Sequence, residues 1–140
     1  MHEEKMTRAH VTETRESTYA VDIEVSGYKL KGDEPLSMGG AGLGPAPYDL
    51  LLTALGECTA MTVRWFATQR NWPLDKVEVV LTHHKDAVNN SPGKVDIFSK
   101  KVILHGDTLT DDQRVKLIEI AAKCPIQRTL EATPEIHTTS

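Results

Sequence analysis

By residue type, Cys58 and Cys124 are the side chains of this 140-residue sequence best suited to nucleophilic and redox chemistry. Two cysteines cannot make the disulfide framework of a small secreted domain, so they are either buried apolar side chains or a redox pair. The thiolate is the reactive form, and its surroundings decide how readily it appears. Cys58 falls in the middle of a helical pattern among apolar neighbours, where burial raises a thiol pKa and the helix dipole gives no help. Glu57 beside it adds negative charge, for which Arg64 on the same side of the helix is a candidate partner. Cys124 precedes Pro125, a residue suited to opening a short helix, so Cys124 is a candidate cap whose neighbouring N–H groups favour a thiolate. Local physics therefore makes Cys124 the more acidic of the two, and Cys58 needs a cation from elsewhere in the fold.

Other residues capable of chemistry fit less well. His83 and His84 are adjacent on a strand pattern and point to opposite faces. Neither cysteine stands in a Cys-x-x-Cys pair and no His-x-x-x-His spacing occurs, so no metal site and no cofactor is expected. The glycine-rich loop from Gly39 to Gly44 lacks the Gly-Lys-Ser/Thr ending of a phosphate cradle. Its expected task is a close crossing over a second subunit or over the cysteine pocket. Arg128, four residues after Cys124, is within helical reach of that cysteine and otherwise reads as a solvated side chain.

The elements that must position the cysteines are legible from periodicity. Between Val11 and Leu30 apolar Tyr19, Val21, Ile23 and Val25 alternate with polar residues, and Ser26-Gly27 turns the chain into Tyr28 and Leu30. Pro47 opens a helix with Asp49 in its first turn, and the pattern runs to about Gln69. Leu51, Ala54, Leu55, Cys58, Met61, Thr62 and Trp65 share one stripe centred on Cys58. Leu50, Leu52, Val63 and Phe66 add apolar surface on other faces, so this helix is expected to be buried around most of its circumference, with a dimer supplying the cover. Val77, Val79 and Leu81 read as a strand and Val95 to Leu104 as another, with a turn at Asn89-Asn90-Ser91-Pro92-Gly93 between them. Thr110 and Gln113 form a capping box for a second helix ending near Cys124. A short turn from Pro125 to Leu130 and a last strand around Glu135 to Thr138 complete an α+β plan. Trp65, Phe66 and Trp72 read as core.

Composition narrows the function classes. The length suits one domain, residues 1–140. Hydrophobic residues make up 39% and charged residues 26%, as in a soluble globular protein. Sixteen basic against twenty acidic residues give a net charge of −4, which supplies no general grip on nucleic-acid phosphates. The most apolar stretch, Leu50 to Leu55, is too short to span a bilayer, and Met1-His2-Glu3-Glu4-Lys5 is not a signal peptide. The expected setting is the cytoplasm, with no nucleic-acid or membrane partner.

The run from Gly44-Pro45-Ala46-Pro47 through Leu55-Gly56-Glu57-Cys58 to Thr62 resembles the first-cysteine helix of the OsmC/Ohr family, the osmotically inducible and organic hydroperoxide resistance proteins. Lys123-Cys124-Pro125-Ile126-Gln127-Arg128-Thr129-Leu130 resembles its second-cysteine motif. Asn71-Trp72-Pro73-Leu74-Asp75-Lys76-Val77 is similar to a segment of the OsmC-like branch. The resemblance covers nearly the whole chain and implies antiparallel sheets around a buried, central, cysteine-bearing helix in an intertwined homodimer. It implies a thiol peroxidase in which Cys58 attacks an organic hydroperoxide or hydrogen peroxide, becomes a sulfenic acid, and condenses with Cys124 to a disulfide that an external dithiol reduces. Leu51, Leu55, Met61, Trp65 and Phe66 would then hold the apolar tail of the substrate. The family activates its first cysteine with a hairpin arginine and a glutamate ahead of the helix. Here Tyr48 stands in the glutamate position with Asp49 next to it, and Arg15 is the nearest hairpin arginine. On a regular helix the nine residues from Asp49 to Cys58 turn through about 900°, which points the carboxylate away. That departure leaves room for another reading, a dimer without turnover that binds an apolar ligand or serves as a redox-sensitive structural or regulatory protein.

Overall fold

The computed structural model describes residues 6–87 and 93–140. Residues 89–92 of the turn expected at Asn89–Gly93 lie outside the described residues, as does the charged start of the chain. By internal contacts the chain divides into two compact units, Met1–Leu51 and Leu52–Ser140.

The first unit is a three-stranded antiparallel sheet in the order β1 (Ala9–Glu13), β2 (Val21–Val25), β3 (Tyr28–Gly32). The Ser26-Gly27 turn sets the β2–β3 register, with Val25 opposite Tyr28 and Ile23 opposite Leu30. After β3 the chain makes a single 3-10 turn at Leu36–Met38 and passes into the glycine loop. Asp33 organises this loop. Its carboxylate accepts from the backbone N–H groups of Glu34, Ala41 and Leu43 at 2.8, 3.1 and 3.3 Å, and from the Ser17 hydroxyl. The close crossing expected of the loop is made over its own backbone: a Cβ on Gly40 would collide with the Glu34 carbonyl.

Burial pushes the Asp33 carboxyl up, and the hydrogen bonds it accepts outweigh this and hold it below its ordinary 3.8. A depressed folded-state pKa means that Asp33 contributes its full stabilisation above 3.8 and loses it as the pH falls through the lower folded value. Asp33→Ala is therefore expected to speed amide exchange at Ala41 and Leu43 at neutral pH. Acidification of the unaltered protein below pH 3.8 should do the same. Unchanged protection in both cases would show that the loop is held by something else.

The second unit contains the rest of helix α1 (Pro47–Gln69), the long antiparallel pair β4 (Lys76–Ala87) and β5 (Lys94–His105), helix α2 (Asp111–Ala121) and the short helix α3 (Pro125–Glu131). The capping box of α2 is present: the Thr110 hydroxyl accepts from the Gln113 N–H at 3.1 Å, and the Gln113 side chain accepts from the Thr110 N–H. Val63, Phe66, Ala67, Leu74, Leu109, Leu117 and Ala121 form the core, with Val77, Val102 and Leu104 from the sheet and Trp72 packed against it. Phe66 meets Trp72 edge to face at 5.5 Å.

Several expectations change here. The buried stripe of α1 is Leu55, Gly56, Thr59, Val63, Phe66 and Ala67, centred on Thr59, while Met61 is 63% and Trp65 51% exposed. Two adjacent apolar stripes compete on this helix, and close approach chooses between them: a Cβ on Gly56 would sit 2.6 Å from Leu81 Cδ1 of β4. Trp65 is thus outside the core that Phe66 and Trp72 join. Arg64 does not pair with Glu57. Seven residues of helix separate them by about 10 Å along the axis, and Arg64 instead donates to the carbonyls of Leu74 and Asp75 at 2.7 and 3.2 Å. The turn after Pro125 is a seven-residue helix. The strand expected at Glu135–Thr138 is absent: residues 133–140 are exposed and pair with no strand among the described residues, so alternation alone had no edge to dock on.

Candidate functional site

Both cysteines lie in the second unit, and α3 joins them. Cys124 is the N-cap of α3 with extended backbone, and Pro125 opens the helix without an N–H to satisfy. The next two N–H groups go one to each sulfur: Ile126 donates to Cys58 Sγ and Gln127 to Cys124 Sγ, both at 3.4 Å. The two sulfurs are near enough for each to shift the other's ionisation. Both are free thiols; Cys58 is half-buried and Cys124 is 0% exposed. The more accessible sulfur is therefore Cys58, and the enclosed one stands beside it.

A cation reaches this pair from β5. The row Phe98, Lys100, Val102, Leu104 occupies one face of the strand, and Lys100 lies opposite Leu81 of β4. Its ammonium donates to Thr59 Oγ1 at 2.9 Å and to the Ala121 carbonyl at 2.7 Å. Thr59, fully buried on α1, stands 3.5 Å from Cys124 Sγ. Sequence reasoning missed both residues. The signal for Lys100 was a charge within an apolar period-two row; Thr59 carried none beyond its place next to Cys58.

The electrostatics separate the thiols in the expected sense. Burial pushes the Cys58 thiol up, and the hydrogen bond and negative charge of Cys124 push the same way, against the Ile126 N–H and the Thr62 hydroxyl. Burial also opposes ionisation of Cys124, but the hydrogen bonds from Thr59, Gln127 and Cys58 together with the Lys100 charge bring it below its ordinary value. Burial lowers Lys100, against the charges of Cys124, Cys58 and Glu131. Ionisation of this pair therefore falls more readily on Cys124 than on Cys58.

Beside Lys100 opens a cavity of about 370 Å³, lined by Leu55, Phe98, Lys100, Val102, Ala121 and Gln127 among others. The side-chain oxygen of Gln127 is buried without a hydrogen-bond partner, leaving an acceptor for a ligand's O–H or N–H. Of the apolar residues expected to hold a substrate tail, Leu55 lines this cavity. Met61 and Trp65 point to the exposed side of α1, Phe66 is in the core, and Leu51 belongs to the first unit.

In the first unit, Asp49 caps its own helix, its carboxylate accepting from the Ala46 N–H at 2.9 Å. Arg15 is exposed and lies 3.7 Å from Glu13. Arg128 is exposed on α3. His83 is turned inward, 2.8 Å from Asp96 and tilted on Phe98, whereas His84 is on the opposite, exposed side. Among the described residues no three His, Cys, Asp or Glu side chains gather as a metal site, and no helix is long and apolar enough to cross a membrane.

The sequence pattern of the OsmC-like proteins matches residues 39–139. No curated protein sequence matches the chain. Similar solved structures include an OsmC-like protein from Mycoplasma pneumoniae, at 15% identity and a TM-score of 0.75 over 93% of this chain and 90% of that one. An organic hydroperoxide resistance protein OsmC from Legionella pneumophila gives 19%, 0.66, 92% and 91%, and an organic hydroperoxide resistance protein from Elizabethkingia anophelis 16%, 0.69, 95% and 93%. At these identities the likeness establishes a shared α+β fold with antiparallel sheets.

Proposed function

The chain belongs to the OsmC-like protein family, and on that premise we propose that it is a cysteine-based peroxidase for organic hydroperoxides, with Cys58 as the attacking sulfur and Cys124 as the resolving one. The observation that carries this reading is the adjacency of an accessible and a buried thiol under one helix start, with an ammonium in reach. Cys58 passes its proton to the Cys124 thiolate and attacks the distal peroxide oxygen. An S–O bond forms, the O–O bond breaks, and the alkoxide leaves as the alcohol with a proton from the site. Cys124 then displaces hydroxide from the Cys58 sulfenic acid, giving a disulfide and water. With Cys124 fully buried, an external dithiol reduces the disulfide by attack on the Cys58 sulfur. The cavity beside Lys100 takes the apolar tail. A cytoplasmic setting, where reducing thiols are maintained, suits the cycle.

The working form in this proposal is a homodimer. Cys58 lies beside an exposed stripe of α1 that includes Met61 and Trp65, an apolar surface that a second copy of the chain would cover. Sedimentation at micromolar concentration should give twice the 15.5 kDa of one chain; a single-chain mass would remove the dimer.

Treatment of the reduced protein with one equivalent of cumene hydroperoxide should yield a product lighter by two hydrogens, and catalytic peroxide consumption once a dithiol is added. No consumption of either cumene hydroperoxide or hydrogen peroxide would remove the peroxidase reading. The raised Cys58 thiol favours one alternative: an OsmC-like protein that holds an apolar ligand in the cavity and whose cysteines form a redox-sensitive cross-link. It predicts the same mass loss without turnover.

A further inference from the structure

We propose that Thr59 and Lys100 form a proton relay for Cys124, in which the buried hydroxyl passes the thiol proton to the lysine and returns it when the disulfide closes. Thr59 Oγ1 has three neighbours: the Lys100 ammonium at 2.9 Å, Cys124 Sγ at 3.5 Å and the Leu55 carbonyl at 2.8 Å. A hydroxyl carries one proton and two lone pairs. With Lys100 donating to it, its proton has two acceptors to choose between. When the sulfur is a thiolate, the charge-assisted bond to sulfur is the stronger. When the sulfur is a thiol, its proton points to the hydroxyl, and the hydroxyl proton turns to Leu55. This pair of states at a hydroxyl and a sulfur closed to water is what proton transfer through a side chain requires, and Thr59 and Cys124 are both 0% exposed.

The steps balance within the protein. Once Lys100 has given its proton to the departing alkoxide, the Cys124 thiol gives its proton to the Thr59 oxygen while that hydroxyl hands its own to the now neutral Lys100 amine, leaving a thiolate and an ammonium. The thiolate attacks the sulfenic sulfur of Cys58. The S–S bond forms, the S–O bond breaks with its electron pair on oxygen, and the departing hydroxide becomes water with a proton returned from Lys100 through Thr59. The sum is a sulfenic acid and a thiol giving a disulfide and water. This second half rests on the peroxidase reading; the ionisation of Cys124 does not. The titratable groups facing the relay are Cys58 from α1 and Glu131 from α3, while α2 contributes the Ala121 carbonyl that fixes the lysine. Burial makes the Lys100 ammonium a readier proton donor than an exposed lysine. Thr59 and Lys100 are positioning residues, since they act through the Cys124 sulfur.

A titration without peroxide tests the relay. In Cys58→Ser protein the ultraviolet absorbance of the thiolate reports Cys124 alone. Its midpoint should rise by about one pH unit or more when Lys100→Met or Thr59→Val is added, and return when the second change is Thr59→Ser, which keeps the hydroxyl. Equal midpoints in all of these proteins overturn the relay. Should Lys100→Met fail to fold, the Thr59→Val and Thr59→Ser pair decides in the same way, with circular dichroism confirming the fold. A raised midpoint in a protein that consumes no peroxide would retain the relay and dismiss the peroxidase reading alone.

Discussion

Replacing Cys58 by serine is expected to lower kcat/KM for organic hydroperoxide by about a thousand-fold or more, as loss of a nucleophile does in other covalent mechanisms, while Cys124→Ser leaves the first oxidation intact. The asymmetry follows from exposure. Cys58 is the half-buried sulfur and Cys124 is wholly enclosed, so peroxide meets Cys58 first. Without Cys124, the Cys58 sulfenic acid has no thiol to condense with and proceeds to sulfinic acid, a gain of about 32 Da in intact mass. The Cys124→Ser protein should therefore consume one peroxide rapidly and then inactivate. Cys58→Ser protein should keep its mass at the same peroxide concentration, because Cys124 is out of reach. Rapid oxidation of Cys124 in Cys58→Ser protein would reverse the two roles, an outcome that its lowered pKa makes worth testing.

If the proposed homodimer seats Trp65 at the centre of its interface, Trp65→Glu is expected to weaken it about 30-fold or more, the consequence of losing roughly 2 kcal/mol at a central aromatic contact. Trp65 is 51% and Met61 63% exposed on a helix whose opposite stripe is filled by Leu55, Val63 and Phe66. A charge in the middle of a buried contact adds desolvation to the lost packing. Sedimentation across a concentration series measures the change. The circular dichroism of the variant should be preserved, because Trp65 lies outside the core cluster of its own chain. A dimer of unaltered strength would move the interface to another face, and the exposed outer row of the β4–β5 pair would be the next to examine.

What the residues determined by themselves is everything that depends on neighbours along the chain. Pro47 opening α1, Thr110 with Gln113 capping α2, the Ser26-Gly27 turn, and Cys124 as the cap of α3 all depend on the backbone of a few consecutive residues. The downward direction of the Cys124 shift belongs here too, because an N-cap position follows from Cys-Pro alone. The tertiary structure decided what depends on distance across the fold. Gly56 against Leu81 selected the Thr59 stripe of α1 over the Cys58 stripe. The carbonyls of Leu74 and Asp75 claimed Arg64 from Glu57. The β4–β5 register delivered Lys100 to Thr59 and Cys124, giving the site a cation that neither Arg15 nor Arg128 had been shown by spacing to provide. Capping and turn formation are short-range and act on sequence neighbours, whereas packing and Coulomb interactions act between whichever groups the fold brings together.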